Sequence, residues 1–129
     1  MKGHRVQVRW RDLDGLGHVN HAAVLTYLEE GRDAWLEQKG IARDEYVVGR
    51  CAVNFNHEID PSAKTVTVRC AVRKLGRSSV TTSEQIVDDG GRVMVDAEFG
   101  LVLWNPDERG SRPISDSERA SLEEEASEV

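Results

Sequence analysis

The chain has 129 residues, 39% of them hydrophobic, and a formal charge of -6, enough for one domain with a real core and too few for two ordinary ones. Residues 106–129 hold 3 basic and 8 acidic side chains against 14 and 15 in residues 1–105, so the acidity sits mostly in the tail. Neither part offers the basic stripe of a nucleic-acid binder, and no apolar run approaches the ~20 residues of a membrane span.

The opening MKGHRVQV lacks the apolar stretch of a signal peptide. Cys51 and Cys70 are too few and too far apart for a disulfide framework or a zinc ribbon. They read as two half-buried thiols of a reducing compartment, and the expected location is cytoplasmic. Residues 5–11 alternate, with Val6, Val8 and Trp10 on one side and Arg5, Gln7, Arg9 and Arg11 on the other, which predicts a strand with one buried face. A glycine-bearing turn, 12–19, follows. Asn20 is a good helix N-cap, and Val24, Leu25, Leu28, Trp35 and Leu36 recur at helical spacing over 21–39. Gly31 interrupts that helix and implies that something packs close to it. Gly40 is the expected stop.

The remainder alternates like antiparallel sheet. A strand is expected within 46–60, ending at the Asp60-Pro61-Ser62 turn. Another covers 64–75, with Val66, Val68, Cys70 and Val72 on one face. After a break at Leu75-Gly76 comes 78–88, then an Asp89-Gly90-Gly91 hairpin, then a long strand at 92–104. Beyond Pro106 the chain turns polar, and 106–129 reads as an acidic tail, a short helix or disorder. One helix cannot cover five strands from both sides. The economical α+β solution is a curled antiparallel sheet wrapped round a single helix, with the other face and the edges left for a second copy.

The densest chemistry lies in Arg11 to Arg32, RDLDGLGHVNHAAVLTYLEEGR. It sets carboxylates and imidazoles at a helix N-terminus, where free amides attract developing negative charge, an arrangement suited to acyl transfer. Asp14 can activate water or attack a carbonyl; the bland reading is a turn aspartate bonding its own backbone. Asp12 is the weaker candidate, ordering the turn or pairing with Arg9 or Arg11. Gly15 and Gly17 suit close backbone approach and positive φ. His18 and His21 are three apart, but HxxH is a weak metal pattern and no distant third ligand is evident, so no metal is expected. Glu29 and Glu30 read as a solvated face, with Arg32 pairing with either. Trp10, Trp35 and Trp104 read as core or interface aromatics.

Strand, D-x-D-x-x-G-H-V-N-H turn, helix with Y-L-E-E-G-R, then four strands containing K-L-G-R-S-S: over residues 4–105 this resembles the hotdog-fold acyl-CoA thioesterases of the 4-hydroxybenzoyl-CoA thioesterase type. The resemblance implies a five-stranded antiparallel sheet wrapped round one long helix, with the hotdog domain over 1–105. It implies a homo-oligomer, a dimer or a dimer of dimers (a homotetramer), with active sites between subunits. It implies an acyl-CoA substrate and no cofactor or metal. The family's catalytic carboxylate matches Asp14, and its oxyanion donor is the backbone amide at or beside His21, where the family often has an aromatic residue or a second Asn. His18 and Asn20 match an Asn/His pair used by a related branch. Gly17 belongs to the turn that lets the thioester pass the helix end. Lys74, Arg77, Ser78 and Ser79 fall in the region that lies near coenzyme A, where cationic and hydroxyl groups suit phosphates. A hotdog-fold dehydratase and a non-catalytic acyl-CoA-binding domain are the alternatives.

Overall fold

The computed structural model describes residues 3–60 and 62–127, with side chains as far as 124. Strand β1 (Gly3–Gln7) leads through a 3-10 turn (Trp10–Asp12) to helix α1 (His21–Gln38). Then come β2 (Tyr46–Phe55), β3 (Thr65–Leu75), β4 (Ser79–Val87) and β5 (Val93–Asn105). A two-residue strand, β6 (Gly110–Ser111), and helix α2 (Asp116–Ser127) follow. The sheet is antiparallel in the order β1-β3-β4-β5-β2, with β6 added on β5.

Alternation explains which face meets the helix. Val66, Val68 and Cys70 of β3, Val80, Thr82, Glu84 and Ile86 of β4, and Val95, Ala97, Phe99, Leu101 and Leu103 of β5 are buried beneath α1. Their counterparts from α1 are Val24, Tyr27, Leu28, Trp35 and Leu36. The sheet therefore curls round α1 as expected. Its opposite face is polar: Arg50 donates to Glu98 at 2.7 Å, and Arg73 lies 3.4 Å from the same carboxylate. The sheet's edges are β1 and β2; β2 pairs with β5 alone among the described residues and leaves Val47, Val48 and Phe55 open.

Gly31 shows how closely the layers meet. A Cβ there would fall well inside van der Waals contact distance of both Val68 Cγ1 and Val68 Cβ. Alanine is worth up to ~1 kcal/mol in helix propensity, but overpacking costs ~1–3 kcal/mol. Gly31→Ala is therefore expected to lose about 1 kcal/mol net in urea unfolding, and Val68→Ala should not relieve the loss, because the Val68 Cβ itself blocks the place. A stability gain from Gly31→Ala alone would show that the layers have room.

Several expectations need correction. The first strand stops at Gln7, because Arg9–Asp12 closes a turn in which Asp12 N–H donates to Arg9 O. Trp10 is thereby carried off the buried face and stands 88% exposed. Trp35 is buried and Trp104 half-buried. β2 ends at Phe55, so 56–60 is a loop. Pro61 of the expected turn lies outside the described residues, as do residues 1–2 and 128–129; Asp60 Oδ1 accepts the Ser62 N–H at 2.8 Å. Cys51 is exposed and Cys70 buried, rather than both half-buried. Gly40 does stop α1, at φ 82.

Part of the segment after Pro106 packs against the domain. Ile114 and Leu122 join the same core cluster as α1 and the sheet. Helix α2 starts in a capping box, with Ser115 Oγ accepting from Glu118 N–H and Glu118 accepting from Ser115 N–H. Arg112 grips Glu118 with two bonds of 2.8 Å. No helix among the described residues is long and apolar enough to cross a membrane.

Candidate active site

The turn before α1 is built from the backbone outward. Asp14 N–H donates to His18 O at 3.0 Å and Gly17 N–H to Asp14 O at 3.1 Å, so five residues fold back on themselves. That return needs a left-handed residue, and Gly17 supplies it at φ 82. Gly15 does not: its φ is not positive, and the space round it is open. Asp14 Oδ1 accepts the Leu16 N–H at 2.9 Å, the turn role anticipated for it. The other oxygen, Oδ2, lies 3.5 Å from His18 Nδ1.

Asn20 caps the helix. Its Oδ1 accepts from Ala22 N–H at 2.7 Å, and its carbonyl takes the first helical bond, from Val24 N–H. The amides of His21 and Ala23 have no acceptor among the described residues. These are orphan donors at the positive end of an 18-residue helix.

A cleft of about 260 Å³ opens at this point. Asp14, His18, His21 and Val24 form one wall. Phe55 to Ile59 and Val95 form the other. Phe55 meets the His21 ring edge-on at 6.3 Å. The loop 56–60 is a wall that reading 46–60 as strand did not anticipate. The run Asn56-His57-Glu58 breaks the alternation before Asp60-Pro61, which is the signal a closer reading would use.

Asp12 has a different setting. It is buried and accepts from Arg9 N–H at 2.9 Å, from Arg9 Nε at 3.3 Å and from Tyr27 OH at 2.5 Å. Burial opposes its charge, but the bonds from Tyr27 and Arg9 outweigh that and hold its pKa below the ordinary aspartate value. Its own carbonyl takes the Asn20 N–H at 2.7 Å. Asp12 thus ties the turn to α1. With a depressed folded pKa, its stabilising contribution is complete above the unfolded value and is lost as pH falls through the folded one. Tyr27→Phe should cost roughly 1–3 kcal/mol at pH 7, where it leaves a buried carboxylate one donor short. The cost should shrink as pH falls through the depressed folded value and the carboxyl protonates in both states. A pH-independent loss would mean that the ring, not the bond, supplies the stability.

Arg32 does not pair with Glu29 or Glu30. It turns into the core, where Nε and Nη2 each donate to Glu84 at 2.9 Å. Glu30 instead accepts from Arg9 at 3.2 Å.

The expected coenzyme region lies elsewhere. Lys74 to Ser79 form the β3–β4 turn, closed by Gly76 N–H to Ser79 O at 2.9 Å. Arg119 of α2 donates to Gly76 O, and Ile114 N–H to Arg77 O. Ser78 O accepts from Leu103 N–H, whereas the cleft meets β5 at Val95. Eight residues of strand separate the two points, about 26 Å. Asp14, His18 and His21 therefore come together with Asn20 beside them, and Lys74, Arg77, Ser78 and Ser79 of the same chain do not join them. Among the described residues no three His, Cys, Asp or Glu side chains gather so as to hold a metal ion.

A family model described as the thioesterase-like superfamily matches residues 8–126. Among solved structures, a thioesterase from Thermus thermophilus, complexed with coenzyme A and zinc, is 28% identical with a TM-score of 0.85, covering 97% of this chain and 93% of that one. A candidate thioesterase from Pseudomonas aeruginosa is 30% identical with a TM-score of 0.82, over 93% of this chain and 96% of that one. A predicted thioesterase from Bacillus stearothermophilus is 25% identical with a TM-score of 0.84, over 95% and 94%. No curated protein sequence matches the chain.

Proposed function

The chain belongs to the thioesterase-like superfamily, with the hotdog fold, and from that premise we propose that it hydrolyses an acyl-CoA thioester to a carboxylic acid and free coenzyme A. The observation that carries this reading is Asp14 sharing one cleft with the unoccupied amide of His21 at the N-terminus of α1. The thioester carbonyl oxygen sits on that amide, which stabilises the charge that develops on attack. Asp14 then acts by one of two routes. As a base it takes a proton from water, the hydroxide attacks the carbonyl carbon, and the C–S bond breaks with the proton returned to the thiolate. As a nucleophile it forms a mixed anhydride, expels the thiolate and is freed by water. His18 and Asn20 set the geometry of carboxylate and helix end.

The Thermus protein's bound coenzyme A supports a coenzyme A thioester as substrate. In this proposal the phosphates meet Lys74, Arg77, Ser78 and Ser79 of a second copy, because those of the same chain stand about 26 Å from the cleft. An uncovered β2 edge supports a dimer or a dimer of dimers.

The test is release of free thiol from a panel of short, long and aromatic acyl-CoA esters. Thiol release is expected from at least one; none at all, with water addition or tight binding instead, would favour the dehydratase or the binding domain. Arg77→Ala should raise KM for acyl-CoA roughly tenfold more than for a thioester lacking the nucleotide, the size of one lost bond to a charged group. Equal changes on both substrates would remove Arg77 from the phosphate site.

A further inference from the structure

We infer that Glu58 is a positioning residue that acts through His18, fixing the imidazole so that its Nδ1 edge stays against Asp14. The inference rests on the hydrolase reading above. His18 lies between two carboxylates: Nδ1 is 3.5 Å from Asp14 Oδ2, and Nε2 is 3.7 Å from Glu58 Oε1. Nδ1 is also 3.4 Å from Val19 O. The polar atoms near the ring are all oxygens, and at least one lies at each nitrogen. A ring turned over about its Cβ–Cγ bond would set carbon edges against them.

Glu58 does not sit on a loose loop. On one side of it, Asn56 and His57 N–H both donate to Met94 O, at 2.9 and 3.1 Å. On the other, Val19 N–H donates to Ile59 O at 3.3 Å, which ties the loop to the catalytic turn. The separations at His18 are longer than direct hydrogen bonds, as polar contacts in unliganded sites often are before substrate tightens them.

The consequence is the aim of Asp14. Leu16 N–H fixes Oδ1 at 2.9 Å. His18 stands at Oδ2. With both oxygens constrained, the carboxylate plane is set toward the cleft, and Glu58 completes the constraint by holding the ring, the part a third group plays beside a catalytic pair.

The test combines kinetics with a spectrum. Glu58→Ala should lower kcat about fivefold to tenfold, the scale of a single pairwise coupling, with KM within twofold. Glu58→Gln should restore most of kcat, because its amide oxygen can occupy the same place. In a His18→Ala background Glu58→Ala should change nothing further. Ring ¹³C relaxation in the NMR spectrum of His18 should report an ordered ring in the unaltered protein and a mobile one in Glu58→Ala. An unchanged kcat, an equal loss without His18, or a rise in KM alone would overturn the inference. So would a ring spectrum indifferent to Glu58→Ala, whatever the activity. If no acyl-CoA is hydrolysed, the hydrolase reading fails by itself, and the spectrum still decides whether Glu58 holds His18.

Discussion

Asp14→Asn should lower kcat for acyl-CoA hydrolysis by roughly 100-fold to 10,000-fold, the range for losing a positioned acid/base group. The fold should survive. Asparagine keeps an oxygen for the Leu16 N–H, and Gly17 still makes the turn. What disappears is the charge facing His18, and with it both the base and the nucleophile. Asp12→Asn should behave in the opposite way. Its carboxylate is buried and takes bonds from Arg9 and Tyr27, so its loss should appear in the thermal melt before it appears in turnover. Steady-state kinetics and melts on the two variants settle the assignment. A near-normal rate in Asp14→Asn would falsify it, and a larger rate loss in Asp12→Asn with a normal melt would transfer the role to Asp12.

The largest loss of stability is expected at the Arg32–Glu84 pair. Arg32 is 1% exposed and Glu84 fully buried, joined by two bonds of 2.9 Å. Thr82 Oγ1 donates a third bond to Glu84 at 2.7 Å, and the guanidinium lies 3.8 Å over the Phe99 ring. Burial disfavours the guanidinium's charge, and Glu84 more than compensates, so its pKa is raised. Arg32→Met removes one partner and strands a carboxylate between α1 and the sheet. That should cost about 3–5 kcal/mol in urea unfolding, a large part of the ~5–15 kcal/mol that holds a domain folded. Changing both residues to methionine should recover most of the loss, since a well-packed apolar pair often replaces a buried ion pair at little cost. A loss below ~1 kcal/mol in Arg32→Met would mean that water reaches Glu84.

The wrapped sheet was legible because its strands follow a period of two over long runs: Val66 to Val72 and Val93 to Leu103 advertise one buried face each. The helix and its cap were legible for the same reason of local grammar, with Asn20 before the apolar stripe and Gly40 after it. The site was legible only as far as it is contiguous. Asp14, His18, Asn20 and His21 fall within eight residues, and a single turn brings them together. The opposing wall, Phe55 to Ile59, lies more than thirty residues on and reaches the turn through sheet pairing, which no local pattern declares. Arg32 failed as a prediction for a related reason. Its partner is 52 positions away, and Glu29 and Glu30 were nearer in sequence. Trp10 misled because alternation continued past the point where Asp12 turns the backbone.

The strand order bears on how the chain is made. β2 is translated early, yet its hydrogen-bonding partner is β5, and nearly forty residues separate Phe55 from Val93. At roughly 5–20 residues per second, the ribosome leaves β2 without a partner for about 2–8 s. For that interval an extended ten-residue segment containing Val47, Val48, Val53 and Phe55 is open to any other strand in a crowded cell. Two features of β2 limit the hazard. Gly49 and Arg50 interrupt the apolar run just after Val48, where the register with β5 shifts. Asn54 and Arg50 put polar groups on the face opposite Val53 and Phe55, so a stray neighbour finds only one apolar side to hold.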